Sequence, residues 1–247
     1  MNTTPKYVLW AAGILGGSFI VMALIAAVAF YKMKDLSTAI TVTGSSQQTI
    51  TSDVVEWQSS FSRNVAPDQL SQGYADMKSD LAIVEKYLTD NGIATSAITV
   101  DPMMVSPNYD ESGYGKGGAS SIVGYELSEN VTVQSNDVDG VTRVAQGSGD
   151  VINQGVVFSS QPLQYFYSKL ADLKLDMLAA ATKDAQLRAV RIAQSAGAKV
   201  GGLRSADMGV FQITSPNSTD LSDYGDYDTT SIQKQITAVV HVVFSVN

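Results

Sequence analysis

The sequence of 247 residues contains no cysteine and a single histidine, His241. A chain without cysteine cannot form disulfides, use thiolate catalysis or bind zinc or iron–sulfur clusters through sulfur. One imidazole is too few for a histidine-rich metal site. No serine stands in a nucleophile-elbow glycine pattern that would make His241 part of a triad, so we interpret it as structural. We therefore predict a non-enzymatic protein with no cofactor, no metal and no catalytic residue.

Basic residues are also scarce, with 16 Lys and Arg against 24 Asp and Glu. Every acidic residue lies at or beyond Asp35, so the net charge of the remaining chain is strongly negative. Nucleic-acid binding depends on a concentrated positive surface. We therefore expect no nucleic-acid partner.

Charge is entirely missing from residues 8–30, which form one apolar run. A helix of this length reaches roughly 34 Å, enough to cross a hydrocarbon core of about 30 Å. Tyr7, Trp10 and Tyr31 lie near its ends, where aromatic rings prefer the lipid–water boundary. The pattern predicts an uncleaved signal anchor that contacts the lipid bilayer. A cleaved signal peptide remains the alternative, because Ala27 and Ala29 fit a small-x-small cleavage site.

The anchor divides the chain into an N-terminal segment, residues 1–34, and a polar domain, residues 35–247. Gly13, Gly16 and Gly17 give the anchor a small-residue face on which a second membrane helix can pack. Basic residues are balanced across the span, so charge alone leaves the membrane orientation open.

The polar domain alternates strand and helix patterns. We predict a hairpin of two strands, 39–44 and 49–65, joined by a polar turn at 45–48. An apolar stripe at spacings of three and four predicts a helix from Pro67 to about residue 90, and the longest helix of the domain is predicted at 169–198. The other predicted elements are strands at 98–105, 122–134, 156–167, 203–214 and 232–246 and a bent helix at 138–152. This order predicts an α+β fold, mainly antiparallel sheets with helices packed on one face, and it suggests two related halves.

Two segments are predicted to be long loops. The first, residues 106–121, is rich in glycine, and the second, residues 215–230, is acidic. Calcium binding by the acidic second loop is the weaker interpretation, because its aspartate spacing matches no EF-hand. Exposed aromatic side chains are enriched at protein contacts, whereas loop tyrosines that pack locally are the alternative. The candidate interface tyrosines are Tyr109, Tyr114, Tyr165, Tyr167, Tyr224 and Tyr227.

Several short motifs in the polar domain resemble the SIMPL-domain family of bacterial envelope proteins. In chain order they are Ile40–Gly44, Asn91–Ile93, Ser106–Tyr109, Gly124–Glu126, Val131–Val133, Ala181–Ala185 with Arg188, and the closing strand from Ile236. The resemblance implies an α+β domain exported across the bacterial inner membrane into the periplasm, in proteins associated with oxidative or envelope stress and with homo-oligomers. The family offers no agreed catalytic residues, so none is assigned here.

We therefore predict a single-pass inner-membrane protein whose periplasmic domain self-associates into a ring or cage-like homo-oligomeric scaffold. The alternative is a binding module for a peptide or an envelope component, which would use the loops at 106–121 and 215–230. Neither the subunit number nor any ligand follows from the sequence.

Overall fold

A computed structural model describes residues 6–110, 121–219 and 222–247. Its helices are α1 (Lys6–Ser37), α2 (Leu70–Asp90), α3 (Val138–Gln146), α4 (Gly149–Ile152) and α5 (Leu170–Ser195). Its strands are β1 (Ala39–Thr51), β2 (Val54–Val65), β3 (Ile98–Val100), β4 (Met104–Tyr109), β5 (Ile122–Ser135), β6 (Val157–Ser160), β7 (Gln164–Phe166), β8 (Val200–Met208), β9 (Gln212–Thr214), β10 (Asp226–Tyr227) and β11 (Gln233–Val246). Antiparallel pairing dominates, which confirms the predicted α+β fold class.

The chain forms two compact units, neither of which is continuous in sequence. The first unit comprises Met1–Gln47, Lys174–Phe211 and Thr237–Asn247, and the second comprises Gln48–Leu173 and Gln212–Ile236. Each unit has its own buried residues.

The second unit is built on a six-stranded sheet with the order β3-β5-β2-β6; β4 also pairs with β5, and β7 with β2. Strand residues alternate between its two faces. On the inner face Val55, Trp57 and Phe61 of β2 are fully buried, together with Val131 and Val133 of β5. The opposite, outer face of β2 and β5 carries polar residues, as expected for an antiparallel sheet with one solvated side.

Helix α2 covers the inner face with the apolar stripe that its sequence predicts. Met77, Val84 and Leu88 are buried in the core of the unit. The helix ends at Asn91, and Gly92 adopts the left-handed conformation (φ 90°) that a non-glycine residue would populate only with strain. The short helix α3 adds Val141 and Val144 to the same core.

In the first unit, β11 lies beside β1 and pairs antiparallel with β8 on its other side. Alternate residues of β11 are buried, among them Val240, Val242 and Phe244. Helix α5 buries a row of alanines four residues apart: Ala181, Ala185, Ala189 and Ala193. Such small side chains allow the helix backbone to approach the strands closely. The approach is closest at Gly44 of β1, where a Cβ atom would collide with backbone atoms of α5.

The predicted hairpin is wrong. Strand β1 continues through residues 45–48, where a turn was expected, and β1 and β2 belong to different sheets. The backbone changes sheets at Ser52, whose N–H donates to the carbonyl of Ile232 over 2.8 Å. Polar residues at 45–48 suggested a turn because an exposed strand and a turn have similar compositions.

Three other predicted strands are interrupted. The strand predicted at 98–105 divides into β3 and β4, and the one at 156–167 divides into β6 and β7, because Pro102 and Pro162 lack the N–H that a ladder needs. The strand predicted at 203–214 divides into β8 and β9 around Gly209. The bend predicted in the helix at 138–152 is confirmed, since α3 ends at Gln146 and α4 begins at Gly149.

Candidate functional site

His241 lies on the exposed side of β11, within reach of one hydroxyl. Its Nδ1 atom is 2.9 Å from Oγ1 of Thr43 on β1, and Asp207 of β8 is its cross-strand neighbour. A hydroxyl, an imidazole and a carboxylate therefore lie in a row, but no hydrogen bond joins Asp207 to the ring. A triad requires that bond to orient the imidazole and donors for the developing oxyanion. Thr43, His241 and Asp207 therefore do not have the geometry of a triad, and they lie on an exposed sheet surface.

The acidic segment before β11 lies next to a buried lysine, Lys234, near the start of that strand. Lys234 is 1% exposed, and its Nζ donates to the carbonyl of Ser231 over 2.5 Å. Burial lowers the pKa of Lys234, although the nearby Asp228 carboxylate acts in the opposite direction. Within the described residues no group of three or more His, Cys, Asp or Glu side chains could hold a metal.

The charged form of the Asp228 carboxylate is stabilised by its neighbours, unlike that of an ordinary surface carboxylate. Burial alone would raise its pKa, but hydrogen bonds from Ser231 and Thr230 and the charge of Lys234 outweigh burial and lower the pKa to about 2. Its Oδ1 accepts from the N–H and the Oγ1 of Thr230, at 2.7 and 2.8 Å. Asp228 and Asp226 line a cavity of 270 Å³. The Oδ2 atom of Asp228 is buried without a hydrogen-bond partner among the described residues.

Two further acidic side chains of the second unit are buried, Asp80 of α2 and Glu129 of β5. Asp80 is buried and accepts a paired hydrogen bond from Arg63, with Nη2 2.8 Å from Oδ1 and Nε bonded to Oδ2. That hydrogen bond raises the pKa of Arg63. Burial, and then the charge of Glu85, raises the pKa of Glu129. Its Oε2 atom is buried without a hydrogen-bond partner among the described residues, which costs free energy of desolvation.

The candidate interface tyrosines occupy different environments. Tyr165 is buried in the core, with its hydroxyl 3.1 Å from Oγ1 of Thr142, so it offers no free ring at the surface. Tyr167 is half-buried, whereas Tyr224 is 96% exposed and Tyr227 is also exposed. Tyr114 lies outside the described residues. The interface hypothesis therefore depends mainly on Tyr109, Tyr224 and Tyr227.

Tyr109 belongs to an apolar arm, which we define as the end of the β4–β5 hairpin around Tyr109, Ile122 and Val123. Tyr109 and Ile122 are cross-strand partners, and all three side chains are exposed. Contiguous exposed apolar residues usually mark a contact surface. Part of the predicted loop at 106–121 is thus strand, since β4 extends to Tyr109.

A second exposed apolar surface lies on β8 in the first unit. Leu203, Ala206 and Met208 pair with Phe244, Val242 and Val240, and therefore face the same side of the sheet as those buried residues. Helix α5 covers that side over β11, but Leu203 is 59% and Met208 60% exposed. The sequence indicated a strand here and gave no sign that its inner face would be uncovered.

Helix α1 contains a window, Gly13–Phe30, with a mean hydropathy of 2.3, which is long and apolar enough to cross a membrane. A signal sequence near the N-terminus meets the same criterion. Gly13, Gly16 and Gly17 have no atom within 4 Å of the position where a Cβ would stand, so the space beside them is open.

Residues 40–244 match the family model SIMPL, described as a protein of unknown function (DUF541). No curated protein matches the chain. The matched range covers almost the whole polar domain and confirms the resemblance that the short motifs indicated.

Proposed function

Because the chain belongs to the SIMPL family, we propose that it is a non-enzymatic, single-pass protein of the bacterial inner membrane. Helix α1 is the uncleaved anchor, and the domain from Asp35 onward lies in the periplasm. There it self-associates into a homo-oligomeric ring or cage-like scaffold linked to envelope or oxidative stress. The family placement supports the location, and exposed apolar surface supports the self-association.

The observation that carries this proposal is the uncovered edge of β8. Within the described residues β8 pairs with β11 alone, so no further strand covers its other edge. Exposed edge strands pair readily with further strands, and charge or a bulge weakens that tendency. Strand β8 carries Asp207 and shifts register against β11, so the apolar residues of the strand have to outweigh these features. The residues next to this edge, Leu203 and Met208, are apolar and exposed. Strand addition from a second copy would satisfy the backbone and bury both side chains.

A charge on β8 tests this proposal. We expect Leu203→Glu and Met208→Glu to convert the wild-type oligomer into monomers, because a carboxylate at a dry interface has to be desolvated without a partner. The measurement is the native mass of the full-length protein in lipid nanodiscs. Leu175→Glu is the matched control, since Leu175 is an exposed leucine on α5 of the same unit.

A shorter protein starting at Asp35 separates the contributions of domain and anchor. If the polar domain drives assembly, it remains oligomeric without α1. If only the full-length chain has the native mass of an oligomer, the glycine face of α1 drives the association instead. A monomeric full-length wild type would refute the scaffold.

The apolar arm favours a second function, the binding of a peptide or an envelope component. Tyr109 and Val123 are more than half exposed, and β4 is an edge strand to which an extended peptide can be added. A monomeric wild type that binds an unfolded peptide, with binding lost in Val123→Asp, would favour this function over self-association.

A further inference from the structure

The outer face of the six-stranded sheet has an unusual composition along the β2–β5 ladder. The outward-facing pairs run from Glu56↔Gln134 to Asn64↔Glu126. Between these two end pairs all side chains are hydroxyls or carboxamides: Gln58, Ser60, Ser62, Ser128, Asn130 and Thr132. Protein surfaces normally intersperse Lys and Arg with Asp and Glu. Here a neutral hydrogen-bonding strip lies between two glutamates.

A groove with a cavity volume of 210 Å³ crosses this strip. Its floor consists of Gln58 and Ser60 from β2 with Asn130 and Thr132 from β5, and its two sides are Asp101 and Gln161.

Both sides of the groove are fixed by backbone hydrogen bonds to its floor. The N–H of Asp101 donates to the carbonyl of Asn130 over 3.0 Å, and the N–H of Gln161 donates to the carbonyl of Gln58 over 2.9 Å. The site is therefore mounted on strands and on segments bonded to them, and it can hold its side chains in one arrangement.

The lining excludes most classes of ligand. An anion would meet no Lys or Arg there and would be repelled by Asp101. One carboxylate is too few for a calcium ion, which takes six to eight oxygen ligands. An apolar ligand would cover hydroxyl and amide groups without satisfying them, which costs free energy for each group.

A neutral ligand rich in hydroxyl groups satisfies the same side chains. Each carboxamide offers two donors and one acceptor oxygen, and each hydroxyl can donate and accept. The Nε2 of Gln58 already donates to Glu56 over 2.7 Å, and the Nδ2 of Asn130 lies 3.5 Å from Oδ2 of Asp101, so the amide nitrogens are oriented and the oxygens point away from these bonds. We propose that this groove binds a glycan, a chain of uncharged sugars.

The dimensions agree with this ligand. A volume of 210 Å³ is many times the space that one water needs, which leaves room for a group the size of one sugar ring. The polar strip continues past the groove to Ser62 and Ser128, so neighbouring sugars of a chain could lie along the sheet. The groove is distinct from β8 and from the apolar arm, and glycan binding does not depend on self-association.

The test is binding of chitotetraose, a neutral tetramer of N-acetylglucosamine, to the full-length protein by isothermal titration calorimetry. Lipid nanodiscs are needed because sugar-headed detergents would compete. We expect saturable binding with a Kd of about 1 mM or tighter. Gln58→Ala and Asn130→Ala should each weaken it about tenfold, since each removes hydrogen bonds to the sugar.

Gln134→Ala is the matched control, because Gln134 is an exposed carboxamide on the same face of β5 but does not line the groove. Unchanged melting temperatures will show that the variants fold, as expected for substitutions on a solvated face. Saturable binding that Gln134→Ala leaves intact and the two groove variants weaken would support the proposal. Absence of saturation by wild type, or equal loss in all three variants, would overturn it.

Discussion

Lys234 and Asp228 show how a single buried charge directs the residues around it. Lys234 is buried to 1% exposure, and an ammonium in such a place is tolerated only with hydrogen bonds and an opposite charge. The carbonyl of Ser231 accepts a hydrogen bond from Lys234, and the Asp228 carboxylate supplies the opposite charge. The sequence alone suggested a solvated acidic loop, because spacing along the chain does not show that a lysine several residues later folds back beneath an aspartate.

Because the pKa of Asp228 is lowered to about 2 from its ordinary value of 3.8, the unfolded chain binds a proton at Asp228 first as the pH falls. The stabilisation by Asp228 is therefore complete above about pH 4 and is lost as the pH falls towards 2. We expect Asp228→Asn to lower the free energy of unfolding at pH 7 by about 2 kcal/mol, because the hydrogen bonds from Ser231 and Thr230 lose their charged acceptor and Lys234 loses a nearby opposite charge.

Urea denaturation at several pH values measures the free energy of unfolding of wild type and variant. The difference between these two free energies should shrink towards pH 2. Asp226→Asn is the control, since Asp226 is exposed and lines the same cavity. A constant difference between the two proteins at every pH would contradict the assignment to the Asp228 charge.

At the scale of elements, the contact of α5 with β1 depends on one glycine. A Cβ on Gly44 would lie 2.5 Å from the backbone nitrogen of Ala185 and would collide with the carbonyl oxygen of Ala181. Backbone atoms cannot move aside as the end of a flexible side chain can. The N–H of the next residue, Ser45, donates to the Asp184 carboxylate over 2.9 Å and holds helix and strand at this distance.

We expect Gly44→Ala to destabilise the first unit by about 1–3 kcal/mol, the usual cost of overpacking a filled contact. This destabilisation is measured as a decrease in the midpoint temperature of thermal unfolding. Gly202→Ala is the matched control, because Gly202 also lies in a strand of this unit but has no atom within 4 Å of its Cβ position. Equal midpoints for the two variants would show that α5 does not pack as described.

Helix α2 was predictable because it carries an apolar stripe, and Met77, Val84 and Leu88 are buried as that stripe requires. Helix α5 was predictable because its sequence is rich in the helix-forming residues Ala, Leu, Lys and Arg. Strand pairing was less predictable. Residues 39–65 contain two strands in the expected order, but which strands become neighbours depends on partners as distant as Ile232. The groove at Gln58 and Asn130 was missed because its components come from separate strands; the signal available was the absence of Lys and Arg from alternate positions of β2 and β5.

At the scale of the whole molecule, the lack of cysteine provides a clean test of membrane orientation. Tyr224→Cys introduces a unique thiol at a position that is 96% exposed. If the domain is periplasmic, a membrane-impermeant maleimide labels this thiol in intact spheroplasts. Thr3→Cys, on the other side of the span, should react only after lysis. The reverse pattern would place the domain in the cytoplasm.

Helix α1 ends at Ser37 and β1 begins at Ala39, so one residue, Thr38, separates the apolar helix from the sheet. Its carbonyl accepts a hydrogen bond from the N–H of Val246, and a single residue spans only about 3.5 Å. In an anchored chain, this short connection keeps the start of the polar domain close to the end of α1. Copies would meet within a thin layer along the bilayer, at an effective concentration far above that of the same domain diffusing freely. Contacts between copies that suffice in solution would then be reinforced on the membrane, and the assembly would withstand greater dilution there than after the domain is released.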